Sequence, residues 1–222
     1  MRSIDVVVPV IMDIVDSRKL ADRESAQAAI ESVCALVERH RPALQPWQAT
    51  VGDEFQAVYP TLNEALCATA LLRLSLPADI DCRFGIGRGS IKPVSSISAA
   101  RIQDGSGWWA ARAAIDEARQ REKAKNPTLR SWFHDAKAGD DQTAIANAYL
   151  LTRDQLISSL NPKTRRYASG LLLGQTQSSI ARAEGVTQSA VSQALKNSGA
   201  GTLIAAMELL ETVPEPRNRV QR

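Results

Sequence analysis

The segment of residues 47–59, WQATVGDEFQAVY, constrains the fold more than any other, because it predicts two β-strands joined by a tight turn. Asp53 and Glu54 stand next to each other at this turn, where charged side chains contribute little to packing. A second acidic motif, MDIVDS at residues 12–17, follows an apolar run that is typical of a strand. Two carboxylates held at two strand ends are what a two-metal site for phosphoryl transfer requires. The pair of motifs therefore predicts a divalent-cation site near nucleotide phosphates.

Each acidic motif also has a simpler structural interpretation. Asp53 and Glu54 can be solvated charges in a hairpin turn. Asp13 and Asp16, together with Ser17, can cap a helix that begins where the strand ends. The sequence leaves these interpretations open beside the prediction of a metal site.

The pattern of apolar residues predicts a βαββαβ order over residues 5–87. Residues 5–12 are β-branched and almost entirely apolar, which is typical of a buried central strand. This order of elements is that of a ferredoxin-like palm. The other predicted elements are helices at 23–40 and 62–74 and strands at 47–51, 54–59 and 81–87.

The rest of the chain is predicted to be mostly helical. A helix at residues 108–125 ends at Asn126-Pro127, residues 129–134 can form an edge strand, and residues 140–160 form another helix. The predicted fold class is α+β, a palm domain followed by a small all-α helix-turn-helix domain. Asn161-Pro162 marks the boundary between the two parts. We expect the palm at residues 1–135, a connecting helix at 136–160, the helix-turn-helix domain at 161–212 and a flexible tail at 213–222.

Composition narrows the class of function. No apolar run reaches the length of a membrane span, and residues 1–10 lack the order of a signal peptide, so we expect a cytoplasmic protein without a membrane partner. Three scattered cysteines and two histidines argue against a disulfide framework, a zinc site or a histidine-based triad. Residues 161–222 carry eight Lys/Arg and four Asp/Glu, whereas residues 1–160 carry nineteen and twenty. The charge suited to a nucleic-acid backbone therefore lies in the C-terminal part.

Four motifs in order carry a family resemblance: MDIVDS, VGDEF, RFGIGRGSI and a helix with Ala110-Ala111-Arg112. Together they resemble the catalytic domain of class III nucleotide cyclases over residues 5–125. The tetrapeptide GDEF also resembles the GGDEF-type palm domains of diguanylate cyclases. The whole chain, with its C-terminal extension, resembles the SatD family of bacterial proteins.

The cyclase resemblance implies Mg²⁺ or Mn²⁺ and a nucleoside triphosphate or other nucleotide as ligand or substrate. Asp13, Asp53 and the backbone of Ile14 stand where that family holds metal ions. Arg112 matches the arginine that stabilises the transition-state phosphate, and it is the implied catalytic residue. The other implied nucleotide-binding positions are Val15, Asp16, Ser17, Gly52, Glu54 and Trp108.

Two positions depart from the cyclase pattern. Trp108 stands where cyclases have an asparagine that orients the ribose, and Ala49 where many have a lysine or glutamate that reads the purine. The metal half of the pattern is retained while base reading is altered, which fits a nucleotide sensor or an enzyme with another substrate. Alternatively, Arg112 is an exposed or salt-bridged residue, Trp108 is a packing or dimer-contact aromatic, and the glycines at 85, 87 and 89 form a strand bulge and turn.

Residues 175–199, QTQSSIARAEGVTQSAVSQALKNSG, predict two short helices joined by a tight turn. Thr187 is a suitable cap for the second helix, and Gly185 supplies the positive φ that the turn needs. The segment GVTQSAVSQAL resembles the turn and recognition helix of phage Cro-type repressors, which implies double-stranded DNA as a partner. A helical hairpin used only for packing or dimerisation is the alternative. The predicted DNA-contacting residues are Gln188, Ser189, Ser192, Gln193, Lys196, Arg182, Arg165 and Arg166.

The sequence leaves three functions open and favours the first. The first is a DNA-binding transcriptional regulator with a metal- and nucleotide-binding cyclase-like sensor. The second is an active metal-dependent nucleotidyltransferase, such as a nucleotide cyclase or a synthase of cyclic or oligomeric nucleotides, with a helix-turn-helix targeting domain. The third is an interaction protein with an inactive palm. A homodimer is expected for the first two, because cyclase-like sites are built across two subunits and helix-turn-helix proteins read paired half-sites.

Overall fold

The computed structural model describes residues 4–17, 22–50, 52–93, 103–137 and 141–212, and over these residues the fold is α+β, as predicted. One sheet contains the strands β1 (Ile4–Ile14), β2 (Gln45–Ala49), β3 (Glu54–Tyr59), β4 (Cys82–Pro93), β5 (Gln103–Asp104) and β6 (Ser131–Asp135). The helices are α1 (Arg23–His40), α2 (Leu62–Ser75), α3 (Ser106–Ala124), α4 (Asp141–Ser159), α5 (Pro162–Leu172), α6 (Gln177–Ala183), α7 (Gln188–Asn197) and α8 (Ala200–Thr212). Within the described ranges, none of these helices is long and apolar enough to cross a membrane.

Strand β1 is the centre of the sheet, where it pairs antiparallel with β3 on one side and β4 on the other. All of its side chains from Val7 to Ile14 are buried, as its nearly continuous apolar sequence predicts. Strand β2 extends the sheet beyond β3, while β5 and β6 both pair with β4, β6 in the parallel direction. The first six elements follow the predicted βαββαβ order.

Different helices cover the two faces of the sheet. On one face, Met12 of β1 lies in the main apolar cluster with residues of α1 and α2. On the other face, Ile11 packs against Ala111 and Ile115 of α3. Successive strand residues point to opposite faces, so Asp13 shares the α3 face with Ile11.

Glycines in β4 allow α3 to approach the sheet closely. A Cβ on Gly85 would lie 2.2 Å from the Ala111 carbonyl oxygen, and one on Gly87 would lie 2.3 Å from the Ala111 amide nitrogen. Any larger residue at either position would push the helix away from the strand. Strand β4 continues past these glycines to Pro93, whereas the sequence predicted a strand that ends at residue 87.

The C-terminal helices α5 to α8 pack around a second apolar cluster. This cluster contains Leu195 of α7 but also Cys67 and Leu74 of α2. Helix α4 reaches both clusters, with Leu150 in the main one and Ile157 in the second. The sheet and the C-terminal helices therefore share α2 and α4 as packing partners, and their apolar cores are not separated by a solvated linker.

Candidate functional site

An open cavity of about 430 Å³ lies where β1, β3 and β4 meet α3. Seven of its ten lining residues belong to the predicted site, whereas Arg83, Arg119 and Lys123 were not predicted. The predicted residues Val15, Gly52 and Trp108 do not line it. We call the lining set the open charged site: Asp13, Ile14, Asp16, Ser17, Asp53, Glu54, Arg83, Arg112, Arg119 and Lys123.

Strand register places three charged residues side by side across the sheet. Asp13 in β1 is paired with Glu54 in β3 and with Arg83 in β4. Residues directly opposite each other on neighbouring strands point to the same face, so all three side chains face α3. On α3, Arg112 and Arg119 are seven residues apart, which places both on the same side of the helix. The site thus consists of three charged side chains on neighbouring strands and two arginines of α3 that lie over them.

The carboxylate of Asp13 is held by two guanidinium groups. Nη1 of Arg83 donates to both carboxylate oxygens, at 2.9 and 3.1 Å, and Nη2 of Arg119 donates to Oδ2. Burial raises the pKa of Asp13 by more than Arg83 and Arg119 lower it, and the charge of Asp53 raises the pKa further. Nε of Arg83 also donates to Glu122 at 3.1 Å, so this arginine links two acidic residues.

Arg112 forms a two-pronged ion pair with Glu54. Its Nη1 and Nη2 atoms donate to the two carboxylate oxygens of Glu54 at 2.7 and 2.9 Å. These hydrogen bonds raise the pKa of Arg112 above its ordinary value. The arginine is 51% exposed, so it is both salt-bridged and open to solvent. The two adjacent carboxylates of the GDEF motif therefore have different surroundings. Glu54 pairs with Arg112, and Asp53 lines the cavity beside it.

The turn after β1 carries three of the implied nucleotide-binding positions, Val15, Asp16 and Ser17, in different surroundings. The Val15 amide donates to the Asp81 carbonyl oxygen at 2.9 Å, so it is not available to a phosphate. Asp16 has a φ of 53°, in the left-handed region that residues other than glycine rarely adopt. Asp16 and Ser17, two of the predicted nucleotide-binding positions, line the cavity. In the hairpin, Gly52 has a φ of 74°, so its part is to form the turn.

Trp108 packs against the sheet and does not face the cavity. It packs against the cluster of Ile11, Ala111 and Ile115, and its Nε1 donates to the Gln103 side chain at 3.3 Å. The prediction of a nucleotide contact by Trp108 is therefore not supported, and the alternative of a packing aromatic describes it. Its neighbour Trp109 is 66% exposed.

The described residues do not fit a divalent cation in this arrangement. Both oxygens of Asp13 already accept hydrogen bonds from arginine. The lining contains four acidic and four basic side chains, so it has no net negative charge to hold a doubly charged ion. Across the described part of the chain, no three His, Cys, Asp or Glu side chains cluster closely enough to hold a metal. Asp13, Asp53 and Ile14 therefore share a cavity without forming a metal-ligand set.

Helices α6 and α7 form a second candidate surface. Thr176 and Thr187 cap the two helices by accepting from the amides three residues later, and Gly185 has a φ of 65° in the turn between them. The buried Val191 and Leu195 fix the inner face of α7. The predicted DNA-contacting residues around that helix are mostly exposed, with Ser192 half-buried: Gln188, Ser189, Ser192, Gln193, Lys196 and Arg182.

Two of the predicted DNA-contacting residues, Arg165 and Arg166, have partners within the protein. Arg165 is half-buried, and its Nη2 donates to the Arg73 carbonyl oxygen of α2. Arg166 is exposed and pairs with both carboxylate oxygens of Glu184, at 2.7 and 2.8 Å. The guanidinium of Arg165 therefore faces α2 rather than the outer surface of α7.

Comparisons with known proteins place the chain in a family. A sequence model of the SatD family matches residues 7–209. No curated protein matches the chain in sequence. Two solved structures of a bacterial light-regulated adenylyl cyclase are similar in fold, with TM-scores of 0.43 and 0.42 and sequence identities of 14% and 15%. Each match covers 71% of this chain and 58% of the other, so this chain spans little more than half the length of those proteins.

Proposed function

The chain belongs to the SatD family, and we propose that it is a DNA-binding transcriptional regulator whose palm part binds a nucleotide by its phosphates. The observation that carries this proposal is the convergence of exposed guanidinium groups on one open cavity at the end of β1. Guanidinium groups that line an open cavity can bind the anionic group of a ligand through paired hydrogen bonds. The DNA-binding part of the proposal rests on the polar outer face of α7.

Arg112 and Arg119 are the proposed phosphate contacts. Their side chains are 51% and 46% exposed, and they pair with Glu54 and Asp13 respectively. The planar fork of a guanidinium matches a phosphate as well as it matches a carboxylate. A nucleotide phosphate can therefore replace Glu54 on Arg112 by an exchange of partners. Lys123 lines the same cavity, and its charge is one of four positive charges that four acidic side chains balance, so phosphate binding depends on this exchange of partners and not on a net positive charge.

Divalent cations are not part of this proposal. The Mg²⁺ or Mn²⁺ implied by the cyclase resemblance would have to displace both arginines from Asp13. Arg83 is only 8% exposed and is also held by Glu122, so its positive charge would stay close to a bound cation and repel it. We expect the nucleotide to bind with similar affinity when a chelator removes divalent cations.

The DNA-binding half rests on α7. Gln188 and Ser189 are exposed in its first turn, where a recognition helix meets base edges, and Lys196 near its end is suited to a phosphate. A homodimer that presents two such helices would read paired half-sites. In this proposal, residues 161–212 bind DNA, residues 136–160 connect them to the palm, and the palm of residues 1–135 binds the nucleotide.

The DNA-binding half is tested with the full chain and a duplex selected from a random library, at low salt because phosphate contacts weaken as salt rises. We expect selective binding, and we expect Gln188→Ala to lower the affinity for the selected duplex by about tenfold. Gln27→Ala, which removes an exposed glutamine of α1, is the matched control and should leave the affinity unchanged. A chain without affinity for any duplex at low salt would contradict the proposal.

One observation favours a second function, an active nucleotidyltransferase. Asp13, Asp53 and Arg112, the implied metal ligands and catalytic arginine, line the same cavity. Incubation with labelled nucleoside triphosphates and Mg²⁺ or Mn²⁺ separates the two functions. A product that disappears in the Asp53→Ala variant would support the enzyme, whereas unchanged nucleotides would leave the regulator as the proposed function.

A further inference from the structure

A second cavity, of about 470 Å³, lies between the end of α2 and the helices α5 and α6. Its walls are mostly apolar and include Leu74 of α2 and Ile180 of α6, together with the polar Ser75, Ser169 and Gln175. Its charged residues are Arg165, Arg166 and Glu184. A cavity of this size, in which polar side chains interrupt apolar walls, can hold a small molecule. It shares no lining residue with the open charged site.

Arg165 differs from the other buried and half-buried arginines of this region. Arg73, Arg130 and Arg153 each form a salt bridge with an aspartate. Among the described residues, Arg165 has no carboxylate partner, and its Nη2 donates to the Arg73 backbone. Its Nε is buried and has no hydrogen-bond partner in the protein. This guanidinium therefore keeps an unsatisfied donor beside an apolar cavity.

The surroundings of Arg165 do not supply the missing negative charge. Glu184 is already held by Arg166 through two hydrogen bonds of 2.7 and 2.8 Å. Burial lowers the pKa of Arg165, and the charge of Asp81 offsets this only in part. A buried donor without a partner is costly, and buried charges in proteins are normally paired. The charged lining, two arginines and one glutamate, leaves one positive charge in excess.

We propose that this cavity binds a small organic anion with an apolar body, whose carboxylate or equivalent group pairs with Arg165. The apolar body would contact the walls around Leu74 and Ile180, and the anionic group would pair with the part of the Arg165 guanidinium that lines the cavity. Ala183 and Glu184 at the end of α6 also line the cavity. The ligand would therefore touch α2 of the palm and the first helix of the α6–α7 pair at once.

The probe for this site is octanoate, with octan-1-ol as its uncharged counterpart, titrated calorimetrically into the full chain. We expect saturable octanoate binding that is clearly tighter than that of octan-1-ol. Arg165→Gln should weaken octanoate binding by about tenfold, because a charged hydrogen bond is lost, and should leave octan-1-ol binding unchanged. Arg23→Gln, which removes an exposed arginine at the start of α1, is the matched control and should leave both affinities unchanged.

A second variant protects the test against misfolding. Ala183→Trp places a large ring at the exposed rim of the cavity and should abolish the binding of both probes without removing a charge. Circular dichroism melts check that each variant is folded. Equal affinities for octanoate and octan-1-ol, octanoate affinity unchanged in Arg165→Gln, or no saturable binding at all would each overturn the proposal. Nucleotide and DNA binding are not needed for any of these outcomes.

Discussion

Two networks of arginines and acidic residues use the same kinds of side chain in opposite surroundings. In the open charged site, Arg112 and Arg119 are 51% and 46% exposed beside a cavity. The other network, which we call the sealed network, lies between α2, α4 and β6, and its Arg153 and Asp154 are fully buried. The exposed Arg112 and Arg119 can exchange partners, whereas the fully buried pair of Arg153 and Asp154 cannot. The sealed network consists of Arg73, Asp81, Arg130, Arg153 and Asp154.

The sealed network satisfies its charges within the protein. Asp154 accepts from the backbone amide of Arg130 at 2.7 Å and from Nη2 of Arg153 at 3.1 Å. Nη1 of Arg153 donates to the Leu66 carbonyl oxygen and the Thr69 hydroxyl, both at 3.1 Å. Such a network fixes α4 against α2 and β6, because removal of one member leaves a buried charge unpaired. We therefore assign the sealed network a structural role.

Glu122 on α3 joins the two networks. It accepts from Nε of Arg83 in the open charged site at 3.1 Å, and it pairs with Nη1 of Arg130 in the sealed network at 2.9 Å. Arg130 in turn pairs with Asp81, which also holds Arg73 of α2. A continuous row of ion pairs thus runs from Asp13 to the helix that packs against the C-terminal part. We propose that a nucleotide bound in the palm influences α5 to α8 through this row, and a variant of Glu122 tests the route below.

The largest effect is expected from breaking the sealed network. Asp154→Asn removes the charge that faces Arg153 and Arg73, so we expect the free energy of unfolding in urea to fall by about 3–5 kcal/mol. Asp79→Asn, an exposed aspartate in the loop before β4, is the control and should change the free energy little. A loss as small as that of the control would show that the two networks do not differ as described.

The connection between the networks is tested by Glu122→Gln. We expect an intermediate loss of about 1–3 kcal/mol in the free energy of unfolding, because Arg83 and Arg130 keep other acidic partners. Nucleotide affinity should be retained, while the effect of nucleotide on DNA affinity should become smaller. Calorimetry and DNA anisotropy on the same preparation measure both. An undiminished nucleotide effect on DNA would remove Glu122 from the proposed route.

A functional rather than structural effect is expected in the open charged site. Arg112→Gln should lower nucleotide affinity about tenfold in the presence of a chelator, because one charged fork is lost. The free energy of unfolding should change by less than about 1 kcal/mol, since exposed ion pairs contribute little to stability. Arg23→Gln serves as the control for loss of a positive charge. A stability loss equal to that of Asp154→Asn would make the open charged site a structural element.

The smallest effect is a difference in pH dependence. The raised pKa of Asp13 means that its ionised form costs stability, and this cost appears as the pH rises from 3.8 through the raised pKa. Burial acts to raise the pKa of Asp81 as well, but Arg73 and Arg130 outweigh it and the pKa is lowered. The contribution of Asp81 to stability is therefore complete above pH 3.8 and is lost as the pH falls through the lowered pKa.

Urea unfolding of the wild type, Asp13→Asn and Asp81→Asn across the acid range measures this difference. Relative to Asp13→Asn, the wild type should lose stability as the pH rises above 3.8. Relative to Asp81→Asn, it should lose its advantage as the pH falls below 3.8. Differences that change in the same direction for both variants would contradict the assignment of the two carboxyl groups.

The parts of this molecule that depend on local pattern could be predicted from the sequence. Helix α1 (Arg23–His40) and strand β3 (Glu54–Tyr59) have the predicted bounds, because periodicity and caps such as Asp22 are local signals. The meeting of Asp13 and Asp53 followed from two acidic motifs at strand ends. The turn and caps around Gly185 and Thr187 were likewise fixed by residue type.

The parts that depend on tertiary packing could not be predicted. Arg83 and Arg119 became site residues through strand register and through the close contact of α3 with the glycines of β4, neither of which has a local signature. The same packing turned Trp108 towards Ile11 and away from the cavity. The same packing places the Arg165 side chain against α2, where it donates to the Arg73 carbonyl oxygen. The arginines that hold both oxygens of Asp13 are likewise distant from it in sequence, so the acidic motifs alone did not indicate them.

The most direct test of the central claim measures DNA affinity by fluorescence anisotropy with and without nucleotide. The selected duplex is titrated with the full chain in a chelator, alone and with saturating ATP, GTP, CTP or UTP. We predict that at least one nucleotide changes the Kd for DNA by about fivefold or more, and that Arg112→Gln raises the nucleotide concentration needed for this change about tenfold while retaining the DNA affinity of the nucleotide-free chain. A Kd for DNA that is identical with every nucleotide and without any would contradict the account.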